Sequence, residues 1–451
     1  MIQLRPDQFS LISAARAALA PDCRSILMQG ATGSGKTVMF SWLCEQVAKR
    51  GKRVVIIVHR EELIEQVSRT LTEFQVSHGF IANGRYFQDH RQVYIASVWT
   101  LAKRLPNIAP PDLVIVDEAH HAVAGTWRKV LDAWPRAWRL GVTATPERLD
   151  GSGLRDIFSA LVCGPSVRWL IDAGHLSEFK LYAPRIPKIE VPARMGDYAK
   201  EALAAWMDKP HLTGSAVEHH RRLCAHARTV VFCVSLEHAR HVALDFEAAG
   251  PKAARIDGQM GAEERRQLVR NFASGEIQIL TSCEILSEGF DLPAIECAVL
   301  LRPTLSLAVY LQQTGRALRS WTGKTHSVIL DHAGNALRHG MPDEERVWSL
   351  DGRPRSSRRV AGQVEAVRTC KKCFAAAKLS AVVCPYCGTP FEHSPREVKR
   401  IEGELEQVTR IERKREQGQA QSFEALMQLG QQRGYKNAGY WAKRVWEARG
   451  R

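Results

Sequence analysis

Short apolar runs alternate with amphipathic stretches along much of the chain. The runs at 25–28, 53–58, 93–98, 113–116 and 139–143 have strand length, and helical patterns separate them up to about residue 185. Apolar residues at successive positions mark strands buried on both faces, as in a parallel sheet. Their alternation with helices predicts a doubly wound α/β sheet. An irregular stretch with several prolines follows at 186–211. A second series then places runs at 229–234, 253–256, 277–281, 297–301 and 327–330. The expected fold is two tandem α/β lobes with parallel sheets, at 1–185 and 212–350, joined by a linker at 186–211.

Beyond the second lobe the pattern changes. Residues 352–369 hold five arginines and no apolar side chain larger than valine. The stretch 351–369 therefore reads as a basic linker. A cysteine module spans about 370–392, and a charged helical tail runs over 393–451. Near its end Tyr435, Tyr440, Trp441 and Trp446 form either the buried face of a small helical unit or a base-stacking surface.

At 451 residues the chain has room for two or three domains, and 45% hydrophobic content supplies their cores. No apolar run approaches twenty residues and the N-terminus lacks a secretory signal, so a cytoplasmic protein without a membrane span is expected. A formal net charge of +15 favours a polyanionic partner, most simply nucleic acid. In the cytoplasm eleven cysteines point to metal ligands or free thiols rather than disulfides.

The chemistry is concentrated first at Gly30-Ala31-Thr32-Gly33-Ser34-Gly35-Lys36-Thr37, which fits the phosphate loop G-x-x-x-x-G-K-[ST] between a strand and a helix. The glycines let backbone N–H groups turn toward a bound phosphate, and the helix start adds positive potential. In that setting Lys36 reaches the β- and γ-phosphates of ATP and the Thr37 hydroxyl ligates Mg²⁺. The run 113–116 ends in Asp117-Glu118-Ala119-His120. Carboxylates at a strand's carboxyl end lie where α/β sheets bind ligands. Asp117 is thus expected to hold Mg²⁺ and Glu118 to polarise the attacking water.

Two lobes, one of them carrying a phosphate loop, resemble superfamily-two helicases. The likeness is closest to the DEAD/DEAH-box branch related to type III restriction motor subunits and excision-repair helicases of bacteria and their phages. It covers about residues 1–340 and implies two RecA-like lobes. Leu4-Arg5-Pro6-Asp7-Gln8 is similar to the adenine-reading segment, with Gln8 as reader; Asp7 stands where the family often has an aromatic. Arg60, in His59-Arg60-Glu61-Glu62, and Thr100 correspond to contacts with the nucleic-acid backbone. Thr143-Ala144-Thr145-Pro146 resembles the motif that links the nucleotide site to the strand, a coupling role shared by His120. In the second lobe Thr281 to Pro293 matches the fifth motif. There Ser287 and Gly289 imply strand contacts and Asp291 a place at the ribose or beside an arginine; Gly289 and Asp291 count with the nucleotide site. Gln312-Gln313-Thr314-Gly315-Arg316-Ala317-Leu318-Arg319 fits Q-x-x-G-R-x-x-R. Its Gln312 implies coupling, and Arg316 and Arg319 imply arginine fingers.

Cys370-x-x-Cys373 and Cys384-x-x-Cys387 are ten residues apart. Four thiolates at this spacing suit a closed, structural Zn²⁺ site. The module, with Lys371, Lys372 and Lys378, either grips nucleic acid or a protein partner or staples a small domain; the helical tail is the other expected place for a protein partner. The expected activity is an ATP-dependent helicase or translocase, with DNA favoured over RNA by the resemblance. The alternatives are a motor subunit serving a separate nuclease in a restriction or defence complex, an RNA helicase, or a zinc-binding adaptor with an inactive ATPase lobe.

Overall fold

In the computed structural model the described residues are 2–85, 90–122, 125–148, 150–183, 191–194, 197–207, 210–283, 292, 295–352, 367–391, 417, 419–420, 422–433, 435 and 437–447. The chain divides into two compact units, residues 1–391 and 392–451.

The first lobe is built on seven strands: β1 (Ser25–Gln29), β2 (Val54–Val58), β3 (His78–Ile81), β4 (Val93–Ser97), β5 (Leu113–Asp117), β6 (Trp138–Thr143) and β7 (Ala160–Cys163). All pair in parallel, in the order β3-β4-β2-β5-β6-β1-β7. The helices are α1 (Pro6–Ala17), α2 (Lys36–Ala48), α3 (Glu61–Glu73), α4 (Val98–Arg104) and α5 (Gly125–Asp132); α6 (Val167–Asp172), after β7, packs Leu170 and Ile171 into the core of the second lobe. Residues of α1, α2 and α3 share one core with the sheet. Residues of α4 and α5 share another. The central strands β2 and β5 are buried at every position, which is why their sequences carry no alternation.

The second lobe contains β8 (Glu178–Tyr182), β11 (Thr229–Phe232), β12 (Ala253–Ile256), β13 (Ile279–Ser282), β14 (Cys297–Leu300) and β15 (His326–Asp331). A small pair, β9 (Ala193–Arg194) and β10 (Asp197–Tyr198), stands apart. The six-stranded parallel sheet has the order β12-β13-β11-β14-β15-β8. Its helices are α7 (Lys200–Met207), α8 (Pro210–Cys224), α9 (Leu236–Ala248), α10 (Ala262–Ser274), α11 (Leu307–Ala317) and α12 (Asn335–His339).

The lobe boundary differs from the one at 185. β8 precedes it yet pairs with β15, so the chain enters the second sheet before the irregular stretch begins. Leu203, Met207 and Ala216 of α7 and α8 join the second core, so part of the expected linker belongs to that lobe. Conversely, residues 350–352 return to the first lobe. Leu350 is buried in its core and accepts from the backbone N–H of Leu154 at 2.7 Å. Gly153 has no room for a side chain there: an added Cβ would lie 1.9 Å from the Leu350 carbonyl oxygen.

A two-stranded hairpin, β16 (Val367–Thr369) and β17 (Ala376–Lys378), carries the cysteine module. In the unit 392–451, α13 (Phe423–Gln432) and α14 (Ala438–Glu447) pack as a helical hairpin. Gly430 faces Trp441 and Ala438. The charged stretch expected to be helical at 393–415 lies outside the described residues.

Candidate active site at the lobe interface

The phosphate loop follows β1 directly. Gly33 and Gly35 take left-handed φ values of 86° and 87°, a conformation open to glycine and costly for other residues. Lys36 opens α2, and its Nζ donates to the Gly30 carbonyl at 3.1 Å. Burial lowers the Lys36 pKa and Arg316 and Arg319 lower it further, while Glu118 and Asp117 pull it back up. Four charged groups, from β5, the turn after it and the α11 region, thus lie within electrostatic reach of one lysine.

Register aligns the carboxyl ends of the strands. Gln29 pairs with Thr143, and Asp117 with Val142. The Gly30 N–H donates to the Thr143 carbonyl at 3.0 Å, tying the phosphate loop to β6. Glu118 adopts φ 49°, an unfavourable backbone for a non-glycine residue, directly after Asp117. One Glu118 carboxylate oxygen lies 3.3 Å from His120 Nδ1, which lies 3.2 Å from Thr143 Oγ1. Thr143 Oγ1 donates to the Thr145 carbonyl at 2.9 Å. The His120 ring is 4.1 Å from that of His121, which is 4.6 Å from that of His59, beside Arg60. A contiguous path thus runs from Glu118 to the start of α3.

Burial, with Glu118 adding repulsion and Lys36 opposing it, pushes Asp117 up to about 7. A buried, crowded carboxylate suits a divalent cation, which would stabilise its ionised form. Ser34 Oγ, Thr145 Oγ1 and Gln312 Nε2 are buried without a protein hydrogen-bond partner. Such groups ordinarily find one, so a polar ligand at this interface fits.

Gln8 is buried and occupied by protein. Its Nε2 donates to the Ser34 carbonyl at 2.9 Å and its Oε1 accepts from the Arg5 N–H at 3.1 Å. Arg5 was not singled out from the sequence. It donates to the same Ser34 carbonyl at 2.9 Å and is held by Asp7 through two bonds of 3.0 and 2.9 Å. In place of an aromatic, Asp7 thus fixes an arginine on the phosphate loop.

The second lobe meets this loop through α11. An added Cβ on Gly315 would lie 2.5 Å from Thr32 Cβ, so only glycine allows this approach. Gln312, Gln313 and Arg316 are buried. Arg319 lies against Gly33, where an added Cβ would be 3.6 Å from Arg319 Cγ. A cleft of 340 Å³ beside the loop is bounded by Gln29, Thr32 and Ala144 from one lobe and Leu311, Gly315 and Arg346 from the other. Lys324, also missed in the sequence, closes the C-terminal end of α11. Its Nζ donates to the carbonyls of Ile295 at 2.8 Å, Arg319 at 2.9 Å and Ala317.

Arg60 caps the start of α3 at the carboxyl end of β2, and Thr100 lies on α4 after β4. These strands are neighbours, with Val58 opposite Ser97, so both residues occupy one edge of the sheet. Glu62 beside Arg60 pairs with Arg265 of α10 at 3.0 Å, a link between the lobes. Ser287, Gly289 and Asp291 lie outside the described residues.

The sulfur atoms of Cys370, Cys373, Cys384 and Cys387 lie within 4.8 Å of one another, the nearest pairs at 3.6 Å. A tetrahedron with Zn–S bonds of about 2.3 Å has edges of about 3.8 Å, so the donor set and spacing fit zinc. The two knuckles share one backbone device. Phe374 at φ 60° and Gly388 at φ 69° each donate their N–H to the carbonyl of the cysteine four residues earlier, at 2.9 Å. Hydrogen bonds from Thr389 bring the Cys387 thiol down to about 6. The module packs on β8. Tyr386 stacks on Tyr182 at 6.4 Å, and Thr369 Oγ1 donates to the Ala183 carbonyl at 2.9 Å.

Comparison with known proteins agrees with this architecture. Residues 1–148 match the family described as type III restriction enzyme, res subunit, and residues 216–320 the helicase conserved C-terminal domain. The chain belongs to the superfamily-two helicases related to restriction motor subunits, and it is an ATP-driven helicase-class motor. A 51.5 kDa protein of a Lactococcus phage is 32% identical over 384 residues, covering 85% of this chain and 82% of that protein. The Saccharomyces cerevisiae protein IRC3, which bears the name of an ATP-dependent helicase, is 30% identical over 73% of this chain. The chain spans only 51% of its length. The HsdR-subunit fragment of a type I restriction enzyme from Vibrio vulnificus shares the fold, with a TM-score of 0.59 at 23% identity over 77% of this chain and 66% of that one. Among the described residues, no helix is long and apolar enough to cross a membrane.

Proposed function

We propose that the chain is a DNA translocase of the cytoplasm that hydrolyses ATP between its lobes and moves along, or separates, DNA strands. The observation that carries this reading is the meeting of α11 with the phosphate loop, Gly315 on Thr32 and Arg319 against Gly33, with Lys36 in electrostatic reach of Asp117, Glu118, Arg316 and Arg319. The loop N–H groups and Lys36 bind the β- and γ-phosphates, and Gln8 and Arg5 set the loop's shape. Thr37 and Asp117 would hold Mg²⁺, which neutralises phosphate charge when bound. Glu118 orients the attacking water. Arg316 and Arg319 stabilise charge on the γ-phosphate, and closure of the lobes puts them there. The path from Glu118 through His120 to Thr143 and His59 relays that state toward Arg60 and Thr100. DNA is favoured because the first lobe matches a restriction-enzyme family.

The four cysteines would hold one structural zinc, whose packing on β8 favours a staple over a nucleic-acid grip. Work beside a separate nuclease subunit is the second reading, supported by the same restriction-enzyme match. ATP-driven displacement of streptavidin from biotinylated single strands tests the track. Displacement from DNA and not from RNA is expected; displacement from RNA alone would overturn the DNA assignment.

A further inference from the structure

The edge of the first sheet that carries Arg60 also exposes a tryptophan. Trp99 stands in the first turn of α4 at 58% exposure, large for so apolar a side chain. Trp99 lines an open cleft of 610 Å³ with Ala102, Lys103 and Pro106 on one side and Thr126 and Lys129 of α5 on the other. Lys103 and Lys129 are exposed, and none of the lining side chains is acidic.

Topology fixes where this cleft lies. β2 runs between β4 and β5 in the sheet. α4 follows β4 directly, so its first turn, with Trp99, lies beside the end of β2, where Arg60 stands, and α5 packs against α4. A strand held there by its phosphates would pass the mouth of the cleft. An aromatic face and two cations lining one cleft form the kind of surface that binds single-stranded nucleic acid, with bases stacked on the ring and phosphates on the lysines.

We propose that Trp99 is a base-stacking residue, and that Lys103 and Lys129 hold the phosphates flanking the stacked base. The inference rests on the nucleic-acid reading above and deepens it. The contacts expected at Arg60 and Thr100 read only the backbone, whereas Trp99 makes binding depend on the presence of bases. Stacking on one ring tolerates any base, so the site adds grip without sequence preference.

The test compares binding of the full-length protein to an oligothymidylate and to an abasic oligomer of equal length. The wild type should bind the oligothymidylate about tenfold more tightly, the contribution of roughly one stacked base. Trp99→Ala should erase that difference and leave abasic binding unchanged, and Trp99→Phe should retain most of it. Lys103→Ala should weaken both oligomers alike and lower the salt slope by about one. A base-dependent difference that survives in Trp99→Ala would overturn the proposal, as would Trp99→Ala matching the wild type on both oligomers, the result expected if the cleft receives a protein. Absence of salt-sensitive binding to either oligomer by the wild type would instead refute the nucleic-acid reading itself.

Discussion

Gly315→Ala separates assembly of the interface from stability of the lobe that carries it. The added methyl would meet Thr32 Cβ at 2.5 Å and Cγ2 at 2.8 Å. Carbon atoms in good contact sit at about 3.5 Å or more, so α11 must retreat from the phosphate loop by about 1 Å. Rotation of Thr32 gives no relief, because its Cβ is fixed to the backbone. A misplacement of that size at a reacting centre costs about a hundredfold in rate, or about 2.7 kcal/mol. Within the helix the sign reverses, since alanine in place of an interior glycine favours the helix by up to about 1 kcal/mol. The variant should therefore melt no lower than the wild type while its maximal ATP turnover falls about a hundredfold. Adding Thr32→Gly removes the opposing methine and should restore most of the rate. Steady-state hydrolysis and thermal melts on the three proteins read this out. Unchanged turnover in Gly315→Ala would refute the claim that the interface described is the catalytic one.

Other consequences are open to measurement. Lys324→Met strips three carbonyls around the end of α11 of their donor and should cost about 2 kcal/mol in denaturant unfolding; no loss would mean the bonds are replaced by water. Burial holds His220 down to about 4 and His332 down to about 3, against 6.5. Below 6.5 the unfolded chain takes up protons that the folded lobe refuses, so stability falls with pH. Asp331, raised by burial to about 6 from 3.8, opposes this, because its folded carboxyl gains a proton below 6. These three groups together cost the second lobe about 2 kcal/mol between pH 7 and pH 5, and equal or greater stability of that lobe at pH 5 would contradict it. A strong chelator should release one zinc per chain and lower the melting temperature of the second lobe through β8, and Cys384→Ser should do the same. Metal-free protein with the same melt would refute a structural site.

Much of the candidate cleft was legible because the chemistry proposed for it needs fixed residue types at short spacing. The phosphate loop, the Asp117-Glu118 pair and the run from Gln312 to Arg319 each occupy a single strand end or helix. The four cysteines declared themselves in the same way. Less visible were features that depend on what meets across space. β3 is four residues long with a histidine and a glycine, too short and too mixed for periodicity to mark. Nothing in the pattern of β8 reveals which sheet it joins, because burial looks alike at either edge. Residues 350–352 fold back onto the first lobe by backbone contacts that need glycine at Gly153 and Gly352, a requirement that no periodicity displays. Arg5 reaches the Ser34 carbonyl and Lys324 the Ile295 carbonyl, each 29 residues away, and a basic residue carries no mark of the carbonyl it will meet. Phe374 fills a left-handed position that a glycine serves in the matching knuckle, so the equivalence appears only in the backbone.

The central claim is that ATP is hydrolysed between the lobes and that DNA drives the cycle. Its most direct test is the steady-state ATPase rate of the purified chain with and without single-stranded DNA, beside Lys36→Ala and Arg316→Ala. The account predicts a low basal rate, strong stimulation by DNA, and loss of the stimulated rate in both variants while DNA binding persists. Stimulated hydrolysis that survives in Lys36→Ala or in Arg316→Ala would contradict it.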